Sequence, residues 1–224
     1  QIEFPDAAYT VDFGTNPSLD AQLVRLEYSS MTSPRKILDY DLQTRASLIK
    51  KTQIIPSGYS EKKYVSERLQ AKARDGAQVP ISLVYHKNTV LDESTPIHLY
   101  AYGAYGHAIA PSFSTSRLSL LDRGFVCAIA HIRGGDDLGY HWYTQGKLMS
   151  RQNTFNDFVD CAKHLIHSGY SSPGRVFISG GSAGGELMGA VANQNPELWG
   201  AVAAHVPFVD VLNTMLNADL PLTP

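Results

Sequence analysis

The stretch Val176-Phe177-Ile178-Ser179-Gly180-Gly181-Ser182-Ala183-Gly184-Gly185-Glu186-Leu187-Met188-Gly189-Ala190-Val191-Ala192-Asn193 decides the fold. Its opening residues, β-branched and aromatic, read as a buried strand, and its small and aliphatic later residues read as a helix. Between them Gly180, Ser182 and Gly184 fit the G-x-S-x-G pattern, in which a sharp strand-to-helix turn lifts a serine hydroxyl above the end of a parallel sheet. The residue types follow from that geometry. Ser182 has to sit on strained backbone, and the glycines two before and two after it, Gly180 and Gly184, stand where strand and helix pass too close for side chains, with Gly181 as the third glycine of the elbow. The helix would aim its free N–H groups and positive dipole end at the place where a tetrahedral oxyanion forms. A bare G-x-S-x-G also occurs as a flexible turn. Here a strand precedes it and a helix follows, which is the context that makes the serine a nucleophile.

The chain has 224 residues, 43% of them apolar, enough for one full domain with a sizeable core and a piece of a second. A net charge of −2 is spread along the sequence without a basic stripe or acidic tail, which argues against a nucleic-acid partner. The longest apolar runs, such as residues 124–130, are far short of a bilayer span, so no membrane partner is expected. Cys127 lies in an apolar run and Cys161 in a helical one, without metal-ligand spacing. They read as small core residues in a reducing, cytoplasmic compartment. The sequence opens on Gln1 and lacks the charged-then-apolar shape of a signal peptide, which suggests that the natural N-terminus lies further upstream.

Residues 23–30, 36–42 and 45–50 mix apolar and polar positions between turn signals, the texture of short antiparallel strands. Residues 64–69 and 79–86 read as two more strands, joined through Asp75-Gly76, a strong hairpin signal. From there the texture changes. Residues 97–102 and 124–131 are continuous apolar strands of the kind buried on both faces, and residues 114–122 between them fit a helix capped by Gly124. In residues 154–168 Phe155, Phe158, Val159, Ala162, Leu165 and Ile166 recur at helical spacing. Residues 201–206 read as a last buried strand, which makes His205 a core histidine rather than a general base. Strand and helix alternating in this way form a parallel sheet covered on both sides, with a domain boundary near residue 60.

His131 with Asp136 and Asp137 offers metal-ligand residue types but no spacing that gathers them on one face; the run reads as a loop at the carboxyl end of the sheet. Gly103 and Gly106 lack the lysine-serine ending of a phosphate cradle. Neither a metal nor a cofactor is expected. Tyr140, Trp142 and Tyr143 serve packing and substrate contact equally well on this reading.

Four strings carry a resemblance: Ala101-Tyr102-Gly103-Ala104-Tyr105-Gly106, Arg133-Gly134-Gly135-Asp136-Asp137-Leu138-Gly139, Asn153-Thr154-Phe155-Asn156-Asp157-Phe158 and Gly180-Gly181-Ser182-Ala183-Gly184-Gly185. In this order they resemble the catalytic domain of the prolyl oligopeptidase family of serine peptidases, nearest to its oligopeptidase B branch, and Pro207-Phe208-Val209-Asp210-Val211 fits as well. The resemblance implies a partial α/β-hydrolase domain over residues 61–224, preceded by the last strands of a β-propeller in residues 1–60. It implies short peptide substrates and an acyl-enzyme on Ser182, with the Ala183 N–H and a tyrosine hydroxyl as oxyanion donors. The tyrosine falls on Tyr102, with Tyr105 as the near alternative. A phenol suits the role because it donates one directed hydrogen bond without a charge.

In α/β-hydrolases the acid and the histidine of the triad follow the serine in that order. After Ser182 the chain offers only Asp210 and Asp219, with His205 ahead of both. The resemblance therefore implies a triad Asp and His beyond Pro224, and a chain inactive by itself. It also implies an acidic pair just past Pro224 for a basic P1 side chain, and a second pair at positions held here by Ala110 and Ser112. That departure leaves cleavage after a single Arg or Lys as the expectation. A prolyl-specific or acyl-aminoacyl peptidase, an esterase, and a non-catalytic truncated product are the alternatives.

Overall fold

A computed structural model describes residues 2–219. The chain builds two sheets. The first is an antiparallel meander of β1 (Tyr9–Phe13), β2 (Leu23–Ser30), β3 (Lys36–Asp41) and β4 (Ser47–Thr52) in sequential order. Alternation fixes its register: Leu26 and Tyr28 of β2 share one buried face with Leu38 and Tyr40 of β3. On the other face Arg25 lies opposite Asp39 and grips it through Nε (2.8 Å) and Nη2 (3.1 Å).

The second sheet holds β5 (Tyr64–Lys72), β6 (Gln78–His86), β7 (Ile97–Tyr100), β8 (Val126–Ala130), β9 (Val176–Gly181) and β10 (Trp199–His205), in the spatial order β10-β9-β7-β8-β6-β5. β5 and β6 form the hairpin expected from Asp75-Gly76, with Gly76 at φ 93° and the Asp75 carboxylate accepting from the Ala77 N–H. The other four strands run parallel to one another. They are linked by helices α1 (Thr115–Leu121), α2 (Tyr140–Thr144), α3 (Arg151–His167) and α4 (Ala183–Gln194); α5 (Val211–Met215) follows β10.

Strand periodicity sorts the core into two layers. Val126, Ala128 and Ala130 of β8 lie with Phe158, Leu165 and Leu187 beneath α3 and α4, whereas Cys127 and Ile129 face Leu121 of α1. Met31, in the turn between β2 and β3, enters this second cluster, and the Phe113 N–H donates to Ser29 Oγ of β2 at 3.0 Å, so the two sheets are packed against each other. Among the described residues no helix is long and apolar enough to cross a membrane.

One expectation is not met among the described residues: residues 200–207, His205 included, are exposed. The run is apolar and lies at the margin of the described sheet, where it pairs with β9 and packs against α4.

Candidate active site

Ser182 sits where β9 turns into α4, at φ 55° and ψ −117°, outside every relaxed basin for a residue with a Cβ. Its own peptide group holds it there. The Ser182 N–H donates to the His205 carbonyl at 3.0 Å, and the Ser182 carbonyl accepts from the amides of Gly185 (2.9 Å), Glu186 (3.2 Å) and Phe208 (3.1 Å). The residue itself is exposed.

The crowding expected of an elbow is present at three glycines. A Cβ on Gly180 would stand 2.3 Å from the Gly184 carbonyl oxygen, one on Gly184 3.0 Å from the Ala101 carbonyl oxygen, and one on Gly185 2.5 Å from Pro207 Cα. Gly181 differs. A Cβ there would make only ordinary contact, 3.6 Å from the His205 carbonyl oxygen. Gly185 lies outside the G-x-S-x-G pattern; the one signal for it in the sequence is its repetition beside Gly184.

Ala183 opens α4, and its N–H finds no acceptor among the described residues. It is the free amide that an oxyanion beside Ser182 would meet, at the positive end of the helix dipole. Tyr102 follows β7 and is half-buried, with its ring edge-on to His107 at 5.5 Å. Its Cα lies 3.4 Å from where a Gly184 Cβ would be, so the tyrosine loop rests directly on the elbow. Tyr105, three residues on, is 65% exposed at φ 58°. It borders a cleft of about 430 Å³ together with Ala183, Phe208, Lys147, Arg151 and Glu186.

The loop after β8 closes one side of this cleft through Gly134. His131 at its root is buried; burial pulls its pKa below the ordinary histidine value, outweighing the attraction of Asp137. The neutral ring donates Nδ1–H to Asp137 Oδ1 (2.6 Å) and accepts the Ser82 hydroxyl at Nε2 (2.8 Å). These are the residue types of a catalytic triad, yet Ser82 is fully buried, so no substrate carbonyl reaches it. Trp142 is buried and donates Nε1–H to the His131 carbonyl, Tyr143 lines the cleft, and Tyr140 is exposed. Among the described residues no group of His, Cys, Asp and Glu is arranged to hold a metal ion. Ala110 and Ser112 lie on the loop beyond Tyr105, and the guanidinium of Arg117 donates to the Ser112 carbonyl at 3.0 Å without a carboxylate partner among the described residues.

A hairpin feeding four parallel strands in this order, with a strained serine after β9, the fifth strand of that sheet in sequence, and a helix beginning at the next residue, defines an α/β-hydrolase, partial here and preceded by propeller-type strands. The profile described as "Prolyl oligopeptidase family" matches residues 111–224, and the chain belongs to that family. It is 44% identical over 223 residues to dipeptidyl aminopeptidase BI of Pseudoxanthomonas mexicana, covering 99% of this chain and 31% of the relative. It is 39% identical to protease 2 of Moraxella lacunata, covering 100% of this chain and 32% of the relative. Among solved structures, oligopeptidase B from Trypanosoma brucei with covalently bound antipain superposes with a TM-score of 0.89 at 43% identity, over 96% of this chain and 31% of that one. Oligopeptidase B from Leishmania major gives 0.88 at 38% identity, over 96% and 30%. The chain thus spans about a third of the length of the curated relatives it matches.

Proposed function

We propose that the whole protein is a serine peptidase acting on short peptides, with Ser182 as its nucleophile. The observation that carries this reading is the strained, exposed Ser182 next to the unpaired N–H of Ala183. Ser182 Oγ bonds to the scissile carbonyl carbon as its proton passes to a general base; the carbonyl oxygen becomes an oxyanion that accepts from the Ala183 N–H and the Tyr102 hydroxyl. Collapse of that intermediate expels the amine, which takes the proton from the base, and water then releases the acid. Among the described residues no histidine side chain is hydrogen-bonded to Ser182; the general base is the triad histidine that the family resemblance implies.

Residues 1–60 then close a propeller domain and residues 61–224 belong to the hydrolase domain, a division supported by the change of sheet between Thr52 and Tyr64. Cleavage after a single Arg or Lys fits the oligopeptidase B likeness. A second basic residue fits poorly, because Ala110, Ser112 and the cationic Arg117 occupy the region where an acidic pair would hold it. Two free, buried cysteines suit a cytoplasmic enzyme.

The test is to assay the whole protein and its Ser182→Ala variant on amides of basic residues and of proline and on short acyl esters, and to map the site of fluorophosphonate labelling. Labelling at Ser182, loss of turnover in the variant and preference for basic amides are expected. Turnover that survives Ser182→Ala overturns the assignment.

A further inference from the structure

Arg151, the first residue of α3, reaches across the front of the site to both walls of the oxyanion region. Its Nη1 donates to the Gly103 carbonyl, next to Tyr102, and lies 3.4 Å from Thr154 Oγ1. Its Nη2 donates to Glu186 Oε2 at 2.7 Å and, more loosely, to the Ala183 carbonyl at 3.4 Å. The guanidinium plane is held from below by the Phe155 ring, 5.2 Å from its centroid. Glu186 belongs to the first turn of α4, so its carboxylate fixes the arginine to the elbow.

We infer that Arg151, held by Glu186, is a positioning residue that locks the tyrosine loop to the elbow helix and so sets the spacing between the Tyr102 hydroxyl and the Ala183 N–H. This rests on the reading of those groups as oxyanion donors. The physical case is one of rigidity. Among the described residues no hydrogen bond joins the Tyr102 loop directly to the elbow at Gly184, where the two are in van der Waals contact; the loop carries Gly103 at φ 66° and Tyr105 at φ 58°, and its Gly106 N–H is tied instead to the Gly134 carbonyl at 2.9 Å. Contact keeps two surfaces from interpenetrating but does not stop one sliding over the other. A planar, fork-shaped donor bonded to one carbonyl on each surface, with its charge neutralised on the helix side, stops that sliding. Both side chains are largely shielded, at 20% and 28% exposure, so the pair is only partly screened by water. An oxyanion site depends on donors held to within fractions of an ångström, and misplacement by about 1 Å costs about 100-fold in rate.

The test uses the whole protein with four variants: Arg151→Gln, Arg151→Lys, Glu186→Gln and the double variant Arg151→Gln/Glu186→Gln. Arg151→Gln is expected to lower kcat by about 10- to 100-fold with KM held within about twofold, by the same factor whether the substrate carries Arg, Lys or Pro at the cleavage site. Binding of a peptide aldehyde, which mimics the tetrahedral state, falls in parallel. Arg151→Lys recovers part of the loss, because an ammonium can satisfy one carbonyl but not both. The double variant is no slower than Arg151→Gln alone. Unchanged kcat, or a rise in KM that depends on the substrate side chain, overturns the inference, the latter by making Arg151 a substrate contact. If Arg151→Gln does not fold, Arg151→Lys and Glu186→Gln carry the same comparison. A Ser182→Ala control separates the two levels: turnover surviving in it removes the peptidase reading, whereas full kcat in Arg151→Gln beside an inactive Ser182→Ala removes only the positioning role.

Discussion

Asp157 accepts three hydrogen bonds from a single residue, Arg133: from its backbone N–H at 3.0 Å, from Nε at 2.8 Å and from Nη2 at 2.6 Å. The carboxylate is wholly buried, and the remaining arm of the arginine reaches Asp75 at 2.6 Å. The pair ties α3 to the loop after β8, whose Gly134 borders the cleft. Asp157→Asn keeps the size but leaves a buried guanidinium short of its counter-charge. It should cost about 3–5 kcal/mol, read as a shifted urea midpoint, with Asp75→Asn costing far less because Asp75 is half in water. Equal effects would mean that burial does not set the strength of these pairs.

The elbow glycines should separate sharply. Gly180→Ala and Gly185→Ala place a methyl against backbone at 2.3 and 2.5 Å, and each should cost about 1–3 kcal/mol or abolish folding. Gly181→Ala meets nothing closer than 3.6 Å and should fold normally. Thermal midpoints of the three variants decide the matter.

If the Tyr102 hydroxyl serves the oxyanion, Tyr102→Phe in the whole protein should lower kcat by about 100- to 1,000-fold with little change in KM, as loss of one oxyanion donor does elsewhere. Tyr105→Phe, altering a hydroxyl on an exposed ring at the cleft rim, should act mainly on KM. The reverse pattern would transfer the role to Tyr105.

Stability should fall as the solution is acidified. Burial lowers the pKa of His131, and burial together with the Arg117 charge lowers that of His98. In the unfolded chain both protonate near pH ~6.5, so their contribution is fully present above that value and is lost as pH falls through the lower, folded values. Urea midpoints between pH 8 and 5 should show this slope. His131→Asn should flatten part of it; an unaltered slope would assign the effect to other groups.

Much of this was legible in residue order. The strand before Ser182 and the helix after it announce themselves by composition, Asp75-Gly76 marks its hairpin, and α3 shows in the spacing of Phe155, Phe158 and Leu165. The apolar spacing puts the start of α3 at Thr154, whereas it lies at Arg151, because Ser150 makes no side-chain cap to mark the boundary. The residue bridging the site lies in that extra turn. Arg151 and Glu186 are 35 positions apart, and no local pattern pairs them. β10 differs for another reason: a run of small apolar residues tells how a strand pairs, not whether anything among the described residues lies over it.

Along β10 the outer row of amides and carbonyls has no neighbouring strand among the described residues, and Val202, Val206 and Val209 stand in water beside it. Such a margin is adhesive. Any extended segment can dock there by completing the ladder, so these 224 residues handled by themselves should tend to join their own copies edge to edge.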